Sequence, residues 1–315
     1  MIEVKDLTKR YGNVAAVNGI SVSIQRGEIV GLLGPNGAGK TTTMRMLTGF
    51  LPATSGELQV AGFDVRRQSR EVRRRLGYMP ESTPLYLTMT VRRYLHFMAA
   101  IKEVSASERA KRVGEAMEST GITHVAERLI KHLSKGYRQR VGLAQAIVSD
   151  PELLILDEPS IGLDPTQIIE IRRLIRAMAE KRTVILSSHI LPEVSEVCQR
   201  VVIINKGKIV ADQPTRELAR TLQREQRVTI EARGESAAIE RALKSVPMVA
   251  KVIADQRDRE SETHRFLVDA GAEGDLRAAL ARAVVEAGLD LLRLEEKTLS
   301  LEEIFVQLVT DKEAA

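Results

Sequence analysis

The chain has 315 residues, 43% hydrophobic and 28% charged, with 47 basic against 42 acidic side chains and a net charge of +5. Domains commonly hold roughly 100–200 residues, so this length predicts a pair of them, and the small basic excess permits a polyanionic ligand or an acidic surface without requiring either. An aromatic content of 3% with no tryptophan excludes an extended base-stacking surface, and a single cysteine, Cys198, excludes an internal disulfide or a multi-cysteine metal site and points to a reducing compartment.

In chain order, Met1–Asp6 carries no apolar core or cleavage site, so no leader is expected there. No apolar run approaches the roughly 18 residues of a membrane span. Glu28–Leu33 reads as a buried strand and is followed by a glycine-rich stretch, Gly34–Thr41, and then a helix with Met44, Met46 and Leu47. Arg66, Arg67, Arg70, Arg73, Arg74 and Arg75 form a basic cluster read as a solvated helix face, with an anionic lipid or partner surface as the alternative. Val91–Arg128 holds no strand signal and reads as a helical insertion, within which Ser105–Glu108 predicts a capping box for a helix ending at Gly121.

Helical patterns at Arg138–Ile147 and Gln167–Glu180 then alternate with strand-sized runs at Leu153–Leu156, Thr183–Leu186 and Val201–Ile204. That alternation predicts an α/β domain with a largely parallel sheet. Cys198 is read as a small packing residue in a helix, and Asn205–Lys208 as a tight hairpin. A boundary is expected within Arg216–Arg227, giving domains of about 1–222 and 227–315. The second begins with a strand over Arg227–Ala232 and a helix near Ala237–Leu243. It continues with a strand at Arg265–Val268, a helix carrying Leu276, Leu280 and Val284, and a strand at Leu291–Leu294. A capped helix from Ser300, with Leu301, Ile304, Phe305, Leu308 and Val309 on one face, completes a small α+β domain.

Two strings carry chemistry. Gly34-Pro35-Asn36-Gly37-Ala38-Gly39-Lys40-Thr41 matches G-x-x-x-x-G-K-[ST] between a strand and a helix, the context that motif requires. Its glycines let backbone N–H groups of Asn36 to Thr42 turn toward phosphates at the positive end of a helix, with Lys40 set for the terminal phosphates and the Thr41 hydroxyl for Mg²⁺. Leu153–Leu156 runs into Asp157-Glu158, a pair of carboxylates at the carboxyl edge of the sheet, where α/β proteins bind ligands. Asp157 suits the metal shell and Glu158 suits a base that polarises water.

Many nucleotide hydrolases share those strings. The guanine-reading N-K-x-D is missing, since Asn205-Lys206-Gly207 is followed by Lys208. Leu133-Ser134-Lys135-Gly136-Tyr137-Arg138-Gln139-Arg140 resembles the L-S-G-G-Q signature of ABC ATPases. Tyr11 resembles the aromatic that stacks on adenine in that family, and Gly77–Glu81 the Q-loop region. Gly162-Leu163-Asp164-Pro165 resembles the D-loop and Ser188-His189 the switch histidine. The likeness spans about Met1 to Leu222.

The resemblance implies a P-loop nucleotide-binding domain of ABC type that binds ATP with Mg²⁺ and hydrolyses it. It also implies a composite site, in which Ser134 and Gly136 of one copy face the phosphates held at Lys40 of another copy or of a paralogous ATPase subunit. His189 would sense the γ-phosphate, Asp164 would couple the sites, and Glu81 would join Thr41 and Asp157 at the metal and relay to transmembrane permease subunits. A place on the inner, cytoplasmic face of the cell membrane follows from the same likeness. The sequence departs from the pattern at Glu81, where glutamine is usual, and at Lys135 and Tyr137 in the signature. Leu299–Phe305 looks like the tail of ABC-2-type exporter ATPases, including gliding-motility-like subunits, which implies export. ABC proteins that act on nucleic acid carry long coiled coils or paired cassettes. Neither is present here, so nucleic acid is not an expected partner.

Overall fold

Leu153–Leu156 has no polar residue on either side, and such a strand is stable only in the middle of a sheet covered on both faces. In the computed structural model, which describes residues 1–217, 226–255, 263–270 and 276–297, that strand is the second in from the edge of a six-stranded sheet. The chain divides into two units, Met1–Thr215 and Arg216–Ala314.

The first unit opens with antiparallel β1 (Ile2–Tyr11) and β2 (Val14–Ile24), to which β4 (Ser55–Val60) and β5 (Phe63–Asp64) add in the order β2-β1-β4-β5. Sequence analysis did not anticipate this sheet. Its register shifts between Val4 and Leu7 and again before Lys9, so the two-residue apolar period is broken. The second sheet holds β3 (Ile29–Leu33), β6 (Leu76–Met79), β7 (Leu153–Leu156), β8 (Thr183–Ser188), β9 (Arg200–Asn205) and β10 (Lys208–Pro214) in the order β10-β9-β3-β8-β7-β6. All its neighbours pair in parallel except β9 and β10, which form a hairpin. Lys206 and Gly207 turn that hairpin with φ of 46° and 78°, the left-handed pair a two-residue turn demands.

Helix α1 (Lys40–Leu47) shares one apolar core with both sheets, through Met44, Met46 and Leu47 against Ile2, Val17 and Leu58 on one side and Val30 and Leu32 on the other. Next come α2 (Ser69–Arg75), α3 (Val91–Ile101) and α4 (Arg109–Ser119). No strand lies among residues 91–128; the segment closes with a short 3₁₀ turn, Thr123–Val125. The capping-box expectation is corrected here: α4 starts at Arg109, and Ser105 instead heads the preceding turn, accepting at its carbonyl from the N–H groups of Glu108 and Arg109. Gly121 follows the helix with φ 66°, the left-handed turn that lets Ile122 N–H return to Met117 O.

Helices α5 (Lys135–Ile147), α6 (Pro165–Ala179) and α7 (Leu191–Val197) complete the unit. Ser134 and Asp164 cap α5 and α6, each side chain accepting from a backbone N–H three residues on. Cys198 is buried at the end of α7 rather than inside it. Half of the arginine cluster is tied down by ion pairs. Arg70 and Arg74 pair with Glu103, Arg74 and Arg75 with Glu71, and Arg75 lies over the Phe63 ring.

The second unit has the order β11 (Gln226–Arg233), α8 (Ser236–Lys244), β12 (Val249–Asp255), β13 (Thr263–Ala270), α9 (Arg277–Glu286), β14 (Asp290–Lys297). Its antiparallel sheet runs β12-β13-β11-β14, the β-α-β-β-α-β arrangement of a split βαβ motif. Val228, Ile230, Ala232, Phe266 and Val268 line one face and bury Ile239, Leu243, Leu280 and Val284 of the helices. Strand β12 was not read from the sequence. The capped helix expected from Ser300, with its stripe Leu301 to Val309, lies outside the described residues, as does most of the expected boundary.

Helix α5 lies so close to β6 that a Cβ on Gly77 would collide with the Ala146 carbonyl, and Gln145 Nε2 donates to Tyr78 O at 2.7 Å. Gly77→Ala should therefore lower the unfolding free energy by about 1–3 kcal/mol, the usual cost of overpacking. Urea unfolding followed by circular dichroism reads that change, and an unaltered midpoint would contradict the contact.

Candidate functional site

Parallel strands end together. Leu33 stands beside Ser188 and Leu156 beside Leu186, so the residues that follow β3, β7 and β8 emerge at one edge of the sheet. There they surround a cavity of about 520 Å³ whose lining includes Asn36 to Thr42, Glu81, Glu158 and His189.

The loop after β3 is held from behind. Gly34 cannot carry a side chain, because a Cβ would strike the Ile204 carbonyl, and a Cβ on Gly39 would lie 2.5 Å from Ala16 O. Gly39 itself sits at φ 109°, and Gly37 at 80°. Gly207 at the tip of the β9–β10 turn donates to Ala38 O at 2.9 Å and accepts from Asn18 N–H at 2.8 Å. The hairpin thus pins the loop to β2 from outside the motif.

Lys40 is buried, and its Nζ donates to Gly34 O at 2.7 Å and Pro35 O at 3.2 Å while standing 3.5 Å from Glu158 Oε1. Glu158 is buried as well and meets His189 Nδ1 through Oε2 at 3.0 Å. A carboxylate can only accept, so Nδ1 carries the proton and Nε2 is left to face other partners. Glu158 reaches this position with φ 47°, a conformation that costs a non-glycine residue roughly 1 kcal/mol or more.

Ser187 organises the acid pair. Its hydroxyl donates to Asp157 Oδ1 at 2.6 Å and accepts from Glu158 N–H at 2.9 Å, and Thr41 Oγ1 donates to the same Oδ1 at 3.2 Å. Asp157 Oδ2 is buried with no hydrogen-bond partner. An orphaned carboxylate oxygen is costly away from water, and beside the Thr41 hydroxyl it makes an oxygen set suited to a hard divalent cation. No cluster of three or more His, Cys, Asp or Glu among the described residues could hold a metal alone. This donor set therefore fits Mg²⁺ that arrives with phosphate oxygens, the way that ion is usually bound. Nearby, the Tyr78 phenol is pushed up to about 12 by burial and then by the Asp157 charge.

Other residues singled out in the sequence stand elsewhere. Tyr11 is exposed at the end of β1 and does not line the cavity, whose wall on the β2 side is Ala16. Ser134 and Gly136 lie at the start of α5, away from the cavity lining. They pack beside the Asp164 end of α6, since a Cβ on Gly136 would meet Gln167 at 2.8 Å. A Cβ on Gly162 would collide with Lys135 Nζ, so the signature-like lysine lies across the turn that precedes Asp164. Sequence reasoning missed Ser187, Gly207 and Ala16, because each acts through a contact with a distant segment. Only the invariant need for φ above zero in the short turn at Lys206-Gly207 hinted at any of them.

A family model described as ABC transporter matches residues 17–161. The bacitracin transport ATP-binding protein BcrA of Bacillus licheniformis is 34% identical over 98% of this chain and 97% of its own length. The linearmycin resistance ATP-binding protein LnrL of Bacillus subtilis is 32% identical over 98% of each. Among solved structures, cbiO1 of Clostridium perfringens, part of the ABC transporter complex cbiONQ, has a TM-score of 0.64 and 29% identity, covering 70% of this chain and 94% of that one.

Ser187→Ala removes the acceptor for Glu158 N–H and one donor to Asp157 in a buried site. The loss should be about 1–3 kcal/mol of stability, the cost of leaving a buried polar group unpaired. Thermal unfolding checks this, with Leu186→Ile as a packing control in the same strand.

Proposed function

This chain belongs to the ATP-binding subunits of ABC transporters, ATPases that power transport, and we propose that the cavity at the edge of its six-stranded sheet is where ATP is held and hydrolysed. The observation that carries the reading is the buried pair Lys40 and Glu158, met by the exposed His189, at the mouth of the glycine loop. Backbone N–H groups from Asn36 to Thr42 and the Lys40 ammonium bind the phosphates. Thr41 and Asp157, with Glu81 in the cavity lining, would hold Mg²⁺, which when bound would neutralise charge on the phosphate oxygens. Glu158 accepts the proton of the attacking water, and His189, through Nδ1–H, fixes the carboxylate in place and senses the γ-phosphate beside it. Tyr11 stacks on adenine. ATP and water become ADP and phosphate.

Ser134 and Gly136 cannot serve this cavity from their own position, which supports a composite site completed by a second copy or a paralogous ATPase. The helix start at α5 then offers its N–H groups and the Ser134 hydroxyl to the other copy's γ-phosphate, and Asp164 couples the paired sites. The permease subunits are received by an apolar groove of about 720 Å³ that includes Phe50, Tyr86, Phe97 and Ile101, next to Glu81. Phe50 is 75% exposed and Ile101 57%, surface that a partner would cover. The described residues contain no helix long and apolar enough to cross a membrane. On this reading the ATPase works at the inner face of the membrane through those partners. Transport is outward on this reading, in keeping with the resistance and antibiotic-transport names of the relatives and with the exporter-like tail. Residues 1–222 form the nucleotide-binding domain and 227–315 an accessory domain.

Glu158→Gln should keep ATP affinity and lower turnover by roughly 10²–10⁴-fold, the usual contribution of a general base. Steady-state phosphate release, together with ATP binding by calorimetry, reads both quantities, and turnover near that of the native chain would remove the base assignment. Truncation after Leu222 should leave ATP affinity within about twofold, because the proposed contacts all precede it and a unit with its own core folds by itself. A folded truncation that no longer binds ATP would overturn the domain division.

A further inference from the structure

Beyond the cavity, a second buried carboxylate joins the segments that carry the reacting groups. Glu193, on α7, is 8% exposed. Its Oε2 accepts from Ser160 Oγ at 2.6 Å and from Ser188 Oγ at 3.4 Å. Its Oε1 stands 3.5 Å from an Arg172 nitrogen on α6, and Arg172 also holds Glu196 at 2.8 Å. Ser160 lies two residues after Glu158, and Ser188 immediately precedes His189. The first contact has the length of a charge-assisted O–H···O⁻ bond.

We propose that Glu193 is a positioning residue for hydrolysis, whose carboxylate clamps the loop after β7 to the last residue of β8 and so keeps Glu158 and His189 in register. The inference rests on the reading of Glu158 and His189 given above. Besides this clamp, the two segments are joined by side chains through Ser187, which lies before the histidine, and through the Glu158–His189 contact whose geometry the clamp would hold. Ser188 also accepts from Ile190 N–H at 3.0 Å, so its hydroxyl ties the backbone on both sides of His189 to the clamp. Arg172 supplies a counter-charge to this buried carboxylate. Removing the carboxylate releases both hydroxyls from the clamp, and the distance between base and histidine is then held only by their own contact and by Ser187. Displacements of about 1 Å in such a pair cost up to roughly 10²-fold in rate without touching the substrate's binding contacts.

The test uses the full chain and compares native protein, Glu193→Ala, Glu193→Gln and Glu158→Gln. Glutamine keeps an oxygen that both serines can reach, so Glu193→Gln should hold kcat within about threefold. Glu193→Ala should lower kcat at least tenfold while the Kd for ATP and the number of ATP-binding sites per chain stay unchanged, a split that loss of folded protein does not produce. Should Glu193→Ala fail to fold, the double variant Ser160→Ala, Ser188→Ala removes the same hydrogen bonds from the other side and must show the same split. If Glu193→Ala or that double variant turns over within twofold of the native chain while Glu158→Gln is inactive, the clamp is wrong and the base assignment stands. If Glu158→Gln keeps its turnover, the site reading falls first and the clamp with it.

Discussion

Parallel pairing of β3, β8 and β7 is the constraint on which the rest depends. Parallel strands all point their carboxyl ends the same way, and here the register sets Leu33 against Ser188 and Leu156 against Leu186. Three segments far apart in the chain thereby deliver Gly34, Glu158 and His189 to one edge without any of them having to recognise the others. The register itself is fixed by burial, since a slip of one residue would turn each strand's packed side chains to the wrong sheet face. Core packing and site geometry are in this sense one requirement.

What that edge gathers is charge in places where water is scarce. Lys40, Asp157, Glu158 and Glu193 are all buried, and each is answered by a partner on a different segment. Ion pairs of this kind add little to stability once desolvation is counted. They do specify geometry, because breaking one leaves a bare charge behind. Asp157 departs from the pattern with one oxygen unanswered by the protein, which is the feature that fits a cation carried in with its phosphates.

Legibility in the sequence followed the range of the physics. The loop Gly34–Thr41 and the strand ending at Asp157-Glu158 are local strings whose backbone demands are written in adjacent residues, and the central strands announced themselves by having no polar face. The antiparallel sheet did not, because the bulges in β1 disrupt the alternation that reveals a half-buried strand. Ser187 and Glu193 were invisible for another reason. A serine in a strand and a glutamate in a helix are ordinary residues, and their meaning lies in contacts that span the fold. Tyr11 illustrates the converse, a residue that a motif singles out although its exposed position at the end of β1 gives no local reason to choose it. The split of the second unit into strands and helices followed from periodicity, while β12, with its bulge between Val249 and Lys251, did not.

Glu158 sits in a left-handed backbone conformation at the end of a strand. A glycine there would relax the turn, and on backbone grounds alone the fold would gain from the exchange. The carboxylate therefore persists against the preference of the chain that carries it. Random drift that selected only for a well-folded protein would tend to erase this residue early, and a stabilised lineage could keep its shape while falling silent. Engineering this scaffold for heat resistance meets the same trade-off, for the substitution at Glu158 that backbone strain recommends is the one that its proposed chemistry forbids.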